Sequence, residues 1–178
     1  MPFRRVGEEV LHDGWLTVVK GTFEGDDGST FEREYVKHKG AVAVVALDGS
    51  DVVLVRQYRA ALDSLLLEIP AGLLDVEGEA PEAAARRELE EEVGLRAVGD
   101  LELLTRYHVG AGFSDHTVTI YLARATEACD LDRQGPEEQE MSVERIAVGD
   151  VPALVEGGSI TDSKTIIGLL LAHGRLSP

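Results

Sequence analysis

The chain has a single cysteine, Cys129, so no disulfide can close within its 178 residues, and no second cysteine stands by to help bind a metal. We read Cys129 as a buried or incidental thiol. No apolar run is long enough to cross a bilayer, and MPFRRVGEEV carries two arginines without the apolar segment that a secretory signal needs. The expectation is therefore a cytoplasmic protein. Basic runs are absent as well. With a net charge of −16, a generic nucleic-acid or anionic-membrane surface is excluded, because phosphates would be repelled. The acidity has two readings, a solubilising surface or a carboxylate cluster that collects divalent cations, and overall charge does not choose between them.

What is present suits one compact domain of 178 residues, 44% of them hydrophobic. WLTVVKGTF, the turn signal GDDGS, TFEREYVKH, the apolar run AVAVVAL and VVLVRQYR read as successive strands, consistent with an antiparallel meander. The period changes around Pro70 and Gly72. Pro81 suits a first helical turn, strong helix formers run to Val93, and Gly94 is placed to end the helix. LELLTRYHV and HTVTIYLARA follow as strands around the loop GAGFSD. TEACDLDRQGPEEQEM reads as an exposed loop, SVERIAV as a short strand, and two closing helices are expected near 151–156 and 162–173. Strands interrupted by one helix and closed by others imply an α+β, layered α/β/α domain with a mixed sheet.

The most informative segment runs from Gly72 to Leu95. Glu88, Glu91 and Glu92 stand at relative positions 0, 3 and 4, which puts them on one helix face, where each like-charged pair costs a few tenths of a kcal/mol, roughly, unless a cation offsets it. Converging carboxylate oxygens are what a hard divalent ion requires, and Mg²⁺ with its retained waters can bridge to phosphates. A solvated acidic helix is the other reading. Ala85, Leu89 and Val93 form an apolar row suited to packing on a sheet, Glu90 points away from the trio, and Arg87 can hold Glu91 four residues on.

The larger pattern resembles the Nudix box: Gly, five spacers, Glu, seven spacers, Arg-Glu, an aliphatic, a spacer, Glu-Glu, a spacer, Gly and an aliphatic. Glu79, Arg87, Glu88, Leu89, Glu91, Glu92, Gly94 and Leu95 fit it, with one departure, six spacers between Gly72 and Glu79, which a longer loop absorbs. The resemblance implies a Nudix-type α/β/α sandwich with an N-terminal antiparallel sheet. It implies Glu88 and Glu92 as metal ligands, Glu91 as ligand or water activator, and the Ala71 carbonyl as a further ligand, for Mg²⁺ or else Mn²⁺. The implied reaction is attack by a metal-activated water on a diphosphate.

Outside the box, GWLTVVKGTF, EREYVKHKGAVAVVAL, VVLVRQYRAAL, LLEIPAGLLD and ITDSKTIIGLLLA resemble the ADP-ribose and ADP-sugar pyrophosphatase branch. That likeness implies Arg59 as a phosphate contact, Trp15 as an adenine stacker, and Arg33 and Glu34 near the base from the neighbouring subunit. Residues 1–40 would then be strands forming a homodimer interface, and 41–178 the catalytic core. A surface role for Arg59 and a core role for Trp15 are the alternatives. GAGFSDH departs from the branch, having Gly110, Ala111 and Gly112 in place of Ser-Pro-Gly and His116 in place of a glutamate. His116 either replaces that glutamate as general base or is a spectator, with Glu91, Glu138 or Glu140 in the role. His108 is read as structural. The expected substrate is ADP-ribose or a related nucleotide sugar. The alternatives are a UDP- or GDP-sugar, a dinucleotide or a flavin nucleotide, or a non-catalytic nucleotide-binding domain on the same fold.

Overall fold

The computed structural model describes residues 1–131, 133 and 139–176. Its contacts divide the chain into two compact units, Met1–Gly40 with Tyr107–Val118, and Ala41–Arg106 with Thr119–Pro178.

In the first unit, β1 (Phe3–Asp13), β2 (Thr17–Gly25) and β3 (Thr30–Lys37) form an antiparallel sheet in the order β1-β2-β3. The GDDGS turn between β2 and β3 closes through Asp27, whose Oδ1 accepts from the Ser29 amide at 2.9 Å, the side-chain turn that Asp favours. Phe31 stacks on Phe23 and meets Phe3 edge-on, which joins all three strands. The GAGFSD loop is tied to the end of β3: the Val36 amide donates to the Phe113 carbonyl, the Val36 carbonyl accepts from the Asp115 amide and Ser114 Oγ, and the His38 amide donates to Asp115 Oδ1.

The second unit is built on a sheet ordered β12-β5-β4-β10-β9, that is Ser142–Ala147, Asp51–Arg59, Ala41–Asp48, Thr117–Ala123 and Glu102–His108. β6 (Ser64–Glu68) lies beside β5, and β7 (Ala71–Leu73) beside β4. β9 and β10 extend at one end into the first unit's residues. A separate pair joins β8 (Leu95–Ala97) to β11 (Thr126–Ala128). Among the described residues the helices are α1 (Pro81–Val93), α2 (Val151–Glu156) and α3 (Ser163–Leu176). β4 is apolar almost throughout because both of its faces are covered. Val42, Val44 and Ala46 pack with Ala85, Leu89 and Val93 of α1, while Val45 faces Gly168 of α3. The result is the expected α+β, α/β/α sandwich with a mixed central sheet.

Two expectations need correction. The meander is not continuous, because β3 ends one sheet and β4 begins another. The segment read as a loop from Thr126 opens instead with β11, which pairs with β8. Of the rest of that segment, residues 132 and 134–138, Glu138 included, lie outside the described residues.

Candidate active site

Pro81 at the first position and Gly94 in the left-handed region, φ 65°, bound α1 as the sequence implies. Its apolar row seats the helix on the sheet and turns Glu88 and Glu92 inward, where they are only 8% and 4% exposed. Two carboxylates buried one turn apart are costly without compensation. Part of it comes from the Ala71 amide, which donates to Glu92 Oε2 at 3.0 Å. More comes from Arg87, which forks onto Glu79 at 3.1 and 3.0 Å and also donates to Glu88 Oε1 at 2.6 Å and Glu91 Oε2 at 3.2 Å. The bond from Arg87 lowers the Glu79 carboxyl below its ordinary value, and the same bond raises Arg87. Glu90, on another face, pairs with Arg96.

The backbone before α1 comes up against the same carboxylate. A Cβ placed on Gly72 would lie 1.9 Å from Glu88 Cδ, so only glycine lets β7 pass there. The longer loop from Gly72 to Glu79 is taken up by exposed residues 75–78.

Three carboxylates, Glu79, Glu88 and Glu91, thus share one guanidinium, and Glu92 adds a fourth negative charge held by the Ala71 amide. Among the described residues no three acidic, imidazole or thiol side chains form a ready cage for a metal. Mg²⁺ does not need one, since it binds through one or two carboxylates and keeps several waters. An excess of buried negative charge beside the backbone of Ala71 fits such an ion.

Arg59, at the end of β5, forks onto Glu68 through Nε and Nη2 at 2.7 and 2.6 Å. Glu68 is 1% exposed and also accepts from Lys164 of α3. Burial alone would raise this carboxyl, but Arg59 and Lys164 together outweigh it and leave it below the ordinary carboxylate range. Sequence reading missed Glu68 and Lys164. Both lie in stretches that carried the resemblance, yet nothing local signals a contact spanning 96 positions.

The remaining expected residues lie in the first unit. Trp15 is 94% exposed between β1 and β2, which rules out the core alternative. Arg33 lies over the Phe31 ring, 4.9 Å from its centroid, and with Glu34 it lines a groove of about 420 Å³ shared with Tyr35, His108 and Phe113. His116 stacks on His38 with ring centroids 3.5 Å apart. The His38 ring accepts from the Gly40 amide through Nδ1, and burial lowers its affinity for a proton, against a weaker opposing pull from Asp115. His38 had no signal in the sequence. The structure therefore groups Ala71, Arg87, Glu88, Glu91 and Glu92 on one face of the second unit, Arg59 in a second cluster of that unit, and Trp15, Arg33, Glu34 and His116 in the first. Glu140 is exposed.

Comparison with known proteins adds to this geometry. The NUDIX domain family matches residues 37–161. An ADP-ribose pyrophosphatase of Mycobacterium tuberculosis is 36% identical over 173 residues, 96% of this chain and 83% of that protein. One from Bacillus subtilis is 39% identical over 140 residues, 78% of this chain and 75% of that protein. A solved structure described as an ADP compounds hydrolase shares the fold, with a TM-score of 0.85 over 99% of this chain and 95% of the other at 24% identity.

Proposed function

Because this chain belongs to the Nudix family and is a Nudix pyrophosphohydrolase, we propose that it hydrolyses the diphosphate of ADP-ribose or a closely related nucleotide sugar. The products are a nucleoside monophosphate and a sugar phosphate. The observation that carries this reading is the pair of buried carboxylates, Glu88 and Glu92, held against the backbone of Ala71 and Gly72. The names of the Mycobacterium tuberculosis and Bacillus subtilis relatives support the choice of ADP-ribose.

Glu88, Glu92, Glu91 and the Ala71 carbonyl would hold Mg²⁺, with Mn²⁺ as the alternative ion. When bound, the ion lowers the pKa of water and offsets charge on the diphosphate oxygens. The chain's own groups do the rest. Arg87 keeps the carboxylates of α1 in place. Arg59 presents a planar fork to a phosphate, the geometry a guanidinium matches best. The attacking water forms a bond to one phosphorus as the bridging oxygen leaves with the other, and the water's proton passes to a base. His116, an imidazole whose ring nitrogen can accept a proton, takes that proton. Residues 41–178 form the catalytic core. Residues 1–40 form a homodimer in which Trp15 stacks on adenine, while Arg33 and Glu34 reach the base from the second copy.

The test is release of AMP from ADP-ribose by purified protein with Mg²⁺. Glu92→Gln removes a ligand charge worth several kcal/mol in the transition state, so kcat should fall on the order of a thousandfold. Unchanged turnover in that variant rejects the metal site, and a product other than AMP from a nucleotide-sugar panel rejects the substrate.

A further inference from the structure

Arg59 is a long side chain at a strand end, 40% exposed, and such a group samples many rotamers unless something holds it. Here the holding group is unusual. Glu68 is almost wholly buried and takes both Nε and Nη2 of the guanidinium. A guanidinium has five N–H donors, and Nη1 makes no hydrogen bond to a described residue, so one edge of the fork faces away from Glu68.

A carboxylate that fully neutralised Arg59 would leave little charge to attract a phosphate. The second cation on Glu68 changes that balance. Lys164 Nζ donates to Glu68 Oε2 and, at 3.0 Å, to Asp162 Oδ2. Asp162 also accepts from the Thr165 amide at 3.0 Å and Thr165 Oγ1 at 2.7 Å, and Thr165 Oγ1 accepts from the Ile69 amide at 3.0 Å. The first turn of α3 is thereby locked to the residue after Glu68, and Lys164 is only 12% exposed. In this cluster two cations, Arg59 and Lys164, face two carboxylates, Glu68 and Asp162, so Glu68 is shared between the cations instead of being given wholly to Arg59, and the orientation of the guanidinium is fixed. Fixing a side chain in advance spares a bound ligand the cost of ordering it.

We propose that Glu68 and Lys164 are positioning residues that set Arg59 for a phosphate of the substrate, making the start of α3 part of the phosphate-recognition machinery. This rests on the reading of Arg59 as a phosphate contact, and a double-mutant cycle separates the two. KM and kcat for ADP-ribose with Mg²⁺, and the dissociation constant for ADP-ribose in EDTA, are measured for the native chain, Arg59→Ala, Glu68→Gln and the double variant. Glu68→Gln should raise KM and the dissociation constant about tenfold, the scale of one misplaced charged contact. It should leave kcat within about twofold, and it should add nothing in the Arg59→Ala background. Because Glu68 is buried, the same cycle is run with Lys164→Gln, and Lys164→Arg should restore the native KM. If Arg59→Ala leaves both constants unchanged, Arg59 is not a phosphate contact and the proposal falls with that reading. If Arg59→Ala weakens binding but the Glu68 and Lys164 effects simply multiply with it, Arg59 stands and its positioning by this pair is overturned.

Discussion

At the scale of single residues, Gly72 is held by steric exclusion. Its Cβ would overlap the Glu88 carboxylate, so Gly72→Ala must push Glu88 off its position or lift β7 from it. A displacement near 1 Å in a reacting site costs on the order of a hundredfold in rate. We expect kcat/KM for ADP-ribose to fall by about that factor, with a melting temperature close to native because the strain is local; a steady-state assay beside a thermal melt checks both. Glu68 makes a second prediction, about pH. Its folded pKa lies below the ordinary value of 4.5, so it binds protons more weakly in the fold than in the unfolded chain. The stability it contributes is complete above about 4.5 and is lost as pH falls through the folded value. Melting temperature against pH from 7 to 3 should therefore drop below about 4.5 in the native chain and drop less in Glu68→Gln. Parallel curves would show that Glu68 is not ionised through Arg59 and Lys164.

At the scale of elements, α1 carries the acidic face, and its two ends are unequal. Its last turn closes on Gly94, but Ala80 at the N-cap has an extended backbone, φ −70° and ψ 143°, and no side-chain oxygen for the exposed amides. Ala80→Ser supplies one and should stabilise the protein by about 1 kcal/mol without altering kcat, read from denaturant midpoints. Leu89, 0% exposed in the middle of the apolar row, should cost about 2 to 5 kcal/mol when cut to Ala. The limits of α1 were legible because Pro, Gly and a four-residue apolar period act locally. The acidic trio was legible for the same reason. β1 was not, since all eleven of its residues are exposed and it shows no inward and outward alternation. β7, β8 and β11, with three residues each, are too short to carry a period. Glu68 and Lys164 meet only through the folded sheet and α3, a relation that no sequence spacing expresses.

At the scale of the whole molecule, charge and apolar surface are unevenly spread. Residues 1–40 hold six Lys and Arg against eight Asp and Glu, a net −2 of the chain's −16. The same residues expose Phe3, Val6, Val10 and Leu11 along β1, an eleven-residue strand at the edge of its sheet. A long edge strand with exposed apolar side chains invites pairing with another chain, and the low net charge of this segment leaves only the repulsion between the acidic remainders of the two copies to oppose it. The proposed homodimer covers that edge with a second copy. Sedimentation equilibrium should then give twice the chain mass. Salt should tighten the dimer, because screening at about 0.15 M weakens repulsion between two acidic bodies while apolar contact is untouched. Val10→Lys places a charge in the covered strip and should shift the protein to monomer. If adenine is bound by Trp15 of one copy together with Arg33 and Glu34 of the other, KM for ADP-ribose should rise in step with the monomer fraction as Val10→Lys is diluted. A fully active monomer would leave the edge strand as a feature of the fold alone and return Arg33 and Glu34 to the groove of their own unit.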